Sequence, residues 1–196
     1  MSDFLIYLEI GFKHVLNIKG YDHILFLIAL TIPLTFKDWK KVLLLVSVFT
    51  IGHALSLILS VMGIIMIQSQ LVEFIIPITI LITAGIHLFS FKKTTKPNGT
   101  NLMVLITFFF GTIHGLGFSN YFKSILSGTP AEKIIPSLEF AIGIEGAQII
   151  IVLAVLLISY IIQHFFRCSK RDFVLVTSAL VIGITLPMLL ENQFWK

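Results

Sequence analysis

The chain has 196 residues, 57% hydrophobic and only 12% charged, with a net charge of +4 and a mean hydropathy of +1.00. A soluble domain carries about 25% charged residues because its surface faces water; this chain has too little polar surface to coat a globule, so lipid must be its main solvent. Its basic residues stand in short clusters between apolar runs, as membrane orientation signals do, so the positive charge does not point to nucleic acid, and the single cysteine, Cys168, excludes an internal disulfide framework and a thiolate metal cage.

The opening residues, Met-Ser-Asp-Phe, lack the basic region and small-residue cleavage site of a signal peptide, so Met1 is expected to be the mature start. A helix needs about 20 apolar residues to cross the hydrocarbon core, and only helices or closed barrels satisfy their backbone there. The long unbroken runs therefore read as helices. Residues 4–18 form a short segment carrying Glu9, Lys13 and His14, which either spans weakly or lies at the interface. Six further segments are expected to span: residues 21–36, 42–65, 71–91, 102–118, 134–166 and 173–190, the fifth of them long enough to tilt or extend beyond the bilayer. The expected fold class is all-α, a polytopic transmembrane helix bundle forming one integral membrane domain over residues 1–196.

Every second loop is basic. Lys37, Lys40 and Lys41 follow the second segment, Lys92, Lys93 and Lys96 the fourth, and Arg167, Lys170 and Arg171 the sixth. The alternate loops carry only Lys123 and Lys133, the latter beside Glu132. By the positive-inside rule the basic loops face the cytoplasm and the C-terminus lies outside. The expected location is the cell membrane, with membrane lipids as the first partner.

Ionisable groups inside a bilayer are costly and usually face a bundle interior or a water-filled cavity. His14, Asp22 and His23 fall near the outer ends of the first two segments; His53 and Glu145 lie near the midplane and His114 slightly outside it, counting about 1.5 Å per residue along each helix. Gln148 follows Glu145 by one turn on the same face, as a supporting residue. Imidazole and carboxylate form an N/O ligand set suited to divalent nickel, zinc, cobalt, iron or copper; without cysteine or a Met-rich motif, monovalent copper fits less well. Asp22 and His23 point about 100° apart on a helix, so either both touch the ion or Asp22 orients a ligating His23. Gly20 allows a sharp turn that returns His14 toward His23, and Gly52, Ala54, Gly115 and Gly117 permit close helix approach beside His53 and His114. The run Phe49-Thr50-Ile51-Gly52-His53 resembles Phe110-Gly111-Thr112-Ile113-His114, which places two similar histidine faces on helices of the same orientation. Glu73 reads as solvated, Glu139 as snorkelling to the outer interface, and His87 and His164 as interfacial packing residues.

His14 followed by Asp22-His23, then Phe49 to His53, His114-Gly115-Leu116-Gly117-Phe118 and Gly143-Ile144-Glu145-Gly146-Ala147-Gln148, occur in an order that resembles the HupE/UreJ family of membrane proteins associated with hydrogenase and urease systems. The resemblance covers roughly residues 10–155. It implies uptake of nickel or a related metal ion, with metal-associated motifs mapping onto His14, Asp22 and His23 and then onto His114 and Glu145. Seven residues separate His14 from Asp22, where the better-known nickel permeases of the family have five. The favoured reading is a permease for a divalent transition metal, nickel first, with a metal site formed by His14, Asp22, His23, His53, His114 and Glu145 and open to the extracytoplasmic side. The alternatives are an intramembrane metal-dependent hydrolase or oxidase using the same ligands, with an open position for water or oxygen, and an accessory or metal-sensing subunit of a larger complex or a homo-oligomer. No ATP-binding motif is present in the sequence, so ion gradients or partners would supply the energy.

Overall fold

A computed structural model describes residues 3–18, 20–90 and 99–195. Among these there is no strand; the helices are α1 (Asp3–Val15), α2 (Asp22–Thr31), α3 (Trp39–Val61), α4 (Ser69–Ser90), α5 (Gly99–Ile125), α6 (Ile134–Phe165) and α7 (Lys170–Leu190), with short 3-10 turns at Phe36–Asp38 and Gln193–Trp195. Helices α3 to α7 are each long and apolar enough to cross a membrane. The all-helical bundle agrees with the sequence, but the six expected spans become five, because the run at residues 21–36 is broken.

The break has a covalent cause. Pro33 has no amide proton, so the carbonyl of Ala29, four residues earlier, loses its helical donor and the helix cannot continue. A ring N–H of His87 on α4 donates to the Ala29 carbonyl instead. The Thr31 hydroxyl closes the last turn onto the Leu27 carbonyl at 2.7 Å. Past Pro33 the chain becomes extended at Thr35 (φ −131°, ψ 171°). There the Thr35 amide and hydroxyl donate to Asp38 at 3.0 and 2.8 Å and start the 3-10 turn. With ten residues α2 is about 15 Å long, half the hydrocarbon core. Its Leu25, Phe26, Leu27, Ala29 and Leu30 are buried, so protein rather than lipid surrounds it. Irregular backbone at membrane depth is tolerated in such a setting. Helix α1, with 13 residues, is also short, and its Lys13–Glu9 ion pair is exposed.

Glycines set the closest helix contacts. On α3 and α5, Gly52 lies on the Phe108 carbonyl, Gly111 on that of Phe49 and Gly115 on that of His53. Phe49 to His53 and Gly111 to Gly115 are each one turn apart, so the two helices run in the same direction. On α1 and α6, Gly11 meets the Phe140 carbonyl and Gly143 that of Leu8. A β-carbon at any of these glycines would occupy the space of a backbone oxygen, the same logic as small-residue interfaces in membranes. The contacts hold His53 beside Gly115 and His14 one turn beyond Gly11.

Two of the three basic clusters share one end of the bundle, since Asp38 lies close to both Lys41 and Lys170. Lys92, Lys93 and Lys96 lie outside the described residues.

Candidate metal site

Four histidines meet from four helices. His14 comes from the last turn of α1, His23 from the first turn of α2, and His53 and His114 from within α3 and α5. The ring of His23 is 4.8 Å from that of His14, 5.8 Å from His53 and 5.1 Å from His114, centroid to centroid. One ring nitrogen from each of His14, His23 and His53 lies within 4.8 Å of the others. Phe118, 4.0 Å from His14, and Phe49, 5.2 Å from His114, wall the group. His23, His53 and His114 are at most 2% exposed.

Hydrogen bonding fixes how these rings present themselves. The carbonyl of Phe110 can only accept, so at 2.8 Å it takes a proton from Nδ1 of His114 and leaves Nε2 with a free lone pair. Asp22 Oδ1 lies 3.3 Å from Nδ1 of His23 and favours the same tautomer there. The Nε2 atoms of His14, His23, His53 and His114 are all buried with no hydrogen-bond partner among protein atoms, as is Nδ1 of His53. Buried polar atoms are almost always paired. Three imidazoles that each offer a nitrogen within 4.8 Å of the others, with the unpaired Nε2 of His114 on the ring next to His23 and a carboxylate behind His23, fit a divalent transition metal better than a hydrogen-bonded core.

A cavity of about 280 Å³ opens onto the group, lined in part by His14, Asn17, Asp22, His23, Glu73 and His114. A second, of about 400 Å³, shares Asp22 and Glu73 and adds Met188 and Asn192. Glu73 is exposed, as its place in the sequence suggests, yet it stands on the wall leading to the histidines. The sequence reading passed over Glu73 and Asn17 as site residues. The available signal is that Glu73 is the only acid in residues 71–91 and falls at the same membrane end as Asp22.

Glu145 and Gln148 occupy another layer. The Ser47 hydroxyl donates to Glu145 at 2.5 Å, and the Thr50 hydroxyl donates to Gln148 at 3.0 Å. Ser47, Thr50 and His53 follow one another at three-residue steps on α3, so Ser47 is about 9 Å along the helix from His53. The group of close ligand atoms, from His14, His23 and His53, includes neither Glu145 nor His114, and His114 joins it through its ring contact with His23. Depth counted along α6 suggested that Gln148 lies farther from the histidines than Glu145. Its partner Thr50 is instead the nearer of the two to His53. Gln148 is fully buried and its Nε2 has no partner.

The remaining groups behave variously. His87 is buried and serves the Ala29 carbonyl. His164 is exposed and stacks on Tyr160 at 5.4 Å. Glu139 is half-buried with Oε2 sealed from solvent and without a partner.

The family model described as "HupE / UreJ protein" matches residues 1–192, nearly the full length. The chain belongs to the HupE/UreJ family. The resemblance read from the ordered motifs thus extends beyond them to α7 and the first residues. With its five long apolar helices, this HupE/UreJ chain is a multi-pass membrane protein. Comparison with curated proteins and with solved structures finds no match.

Proposed function

We propose that this HupE/UreJ chain is a secondary permease for a divalent transition metal ion, nickel first. The family is associated with nickel and cobalt transport. The observation that carries the reading is the cluster of His14, His23 and His53, each offering a ring nitrogen within 4.8 Å of the others, with the buried and unpartnered His114 Nε2 on the ring beside His23. Glu73 and Asp22 at the cavity walls raise the local concentration of cations. The four imidazoles then replace water around the ion, with Asp22 orienting His23. Beyond them the Thr50–Gln148 and Ser47–Glu145 pairs extend a polar track along α3, away from the cavity and toward the end that carries Lys40 and Lys41. A carrier needs such a route on the far side of its site. By the positive-inside rule, the basic loops support a cavity open to the extracytoplasmic side.

The test is flux. Reconstituted in liposomes, the protein is expected to carry nickel, cobalt or zinc into the lumen under an imposed gradient, and His53→Ala to abolish the movement. Tight binding without flux, across all three metals and in both directions of a proton gradient, would replace transport with the intramembrane metalloenzyme reading.

A further inference from the structure

A concave site lies far from the histidines, where the 3-10 turn Phe36–Asp38 meets the second half of α6. Its polar part, about 430 Å³, is lined by Lys37, Ser159, Tyr160, Gln163 and His164 together with Thr35, Phe36 and Leu156. No acid is among these residues, and the nearest in sequence, Asp38, is occupied by the amide and hydroxyl of Thr35. The α6 side is built from two pairs one turn apart. Gln163 donates to the Ser159 hydroxyl at 2.6 Å, and His164 stacks on Tyr160. Hydroxyl, amide and imidazole groups thus line the same concavity as the exposed Lys37.

The site continues as a groove of different character. Phe36 and Leu156 also line a second concavity, of about 220 Å³, between α3 and α6, walled by Trp39, Leu43, Val46, Ile149 and Val152 and by no charged side chain. On α3 it runs from Trp39 to Val46 and on α6 from Leu156 back to Ile149, about 10 Å of helix on each side. The polar part lies at the lysine-rich end and the apolar part points toward the middle of the bundle. Lys40 Nζ sits 5.6 Å from the Trp39 ring, which places a second ammonium beside the mouth. Trp39 and Tyr160 are both more than half exposed, as aromatic residues at a membrane interface are.

We propose that this site binds an anionic phospholipid, with its phosphate at Lys37 and the α6 hydroxyl, amide and imidazole groups, and an acyl chain in the groove between α3 and α6. A free anion would use the polar part but has no use for the groove. A zwitterionic phospholipid carries the same phosphate, but its quaternary ammonium would stand beside Lys37 and Lys40 with no acid among the lining residues to receive it. The layout, charged at the interface and apolar inward, is that of a phospholipid standing in its own leaflet, and basic pockets between transmembrane helices recognise such headgroups.

The test uses the full chain purified in detergent and titrated, by native mass spectrometry, with phosphatidylglycerol, with phosphatidylcholine of the same chain length, and with inorganic phosphate. Phosphatidylglycerol is expected to bind in preference to phosphatidylcholine, and phosphate to compete poorly. Lys37→Gln is expected to weaken phosphatidylglycerol about fivefold, the worth of one basic residue near an anionic surface, with recovery in Lys37→Arg. Leu43→Trp, which fills the groove from its exposed edge, is expected to weaken both lipids while leaving phosphate unaffected. Equal binding of the two lipids, indifference to Lys37→Gln, or phosphate competing as well as lipid would each overturn the proposal.

Discussion

His114 donates its Nδ1 proton to the carbonyl of Phe110, 2.8 Å away on the same helix. That bond makes a backbone oxygen the positioning group of the imidazole, since it sets both the tautomer and the ring plane. Losing even an outer partner of a metal ligand costs about 10–100-fold in affinity. His114→Ala, which removes the proposed ligand itself, is expected to lower metal affinity by at least about 100-fold, read by isothermal titration with nickel. His87→Ala is the control. It is expected to leave metal affinity unchanged and to lower thermal stability, because it strips the Ala29 carbonyl of its donor at a cost of about 1–3 kcal/mol. Equal losses of affinity in both variants would dissolve the distinction between site and scaffold.

Asp22 is expected to act through His23 rather than on the ion, given the Oδ1 to Nδ1 separation of 3.3 Å. Asp22→Asn keeps an acceptor in place and removes the negative charge beside the His23 ring. Metal affinity is expected to fall by about 10–100-fold. X-ray absorption of the nickel-loaded variant should keep the nitrogen count of the native protein. A change in the number of oxygen neighbours would make Asp22 a direct ligand.

The histidines were legible because each interrupts an apolar run that has no other use for it. His53 and His114 in particular share a short local pattern whose glycines prove to be the contact points of α3 and α5. The division of the first 40 residues was not legible from hydropathy, which reads residues 21–36 as one span. Pro33 carried the signal, but only the structure supplies the second half of the account, in which His87 replaces the missing amide. Layering was the least legible feature. Counting along α6 sets Glu145 at the depth of the histidines, while its carboxylate accepts from Ser47, about two turns from His53 along α3, a diagonal reach that a residue count does not contain.

The glycine contacts predict a sharp contrast in stability. At Gly115 a β-carbon would meet the His53 carbonyl and the Ser56 hydroxyl, so α3 and α5 would have to separate. Gly115→Ala is expected to destabilise by about 1–3 kcal/mol, as overpacking does, and to weaken metal binding because His53 and His114 move apart. At Gly85 nothing lies within 4 Å of the added carbon. Gly85→Ala is expected to be neutral or to stabilise by up to about 1 kcal/mol through helix propensity. Thermal unfolding in detergent, followed by circular dichroism, measures both. Indistinguishable variants would remove the close approach of α3 and α5 as the support of the site.

A second polar layer, with Glu145 and Gln148, follows the histidines along α3. If Glu145 belongs to the route beyond the histidines, its carboxylate matters when the ion leaves them and not while it rests there. Glu145→Gln preserves size and an acceptor for the Ser47 hydroxyl while removing the negative charge. Metal affinity at equilibrium is then expected to stay within about threefold of native, while the rate of uptake into liposomes falls by at least about tenfold, a barrier increase of about 1.4 kcal/mol or more. Thr50→Val, which deprives Gln148 of its hydroxyl partner, is expected to slow uptake in the same direction with affinity again preserved. His53→Ala supplies the opposite signature, with affinity and flux lost together. A Glu145→Gln variant that binds nickel as poorly as His53→Ala would put Glu145 back among the ligands and leave the exit from the histidines to be found elsewhere.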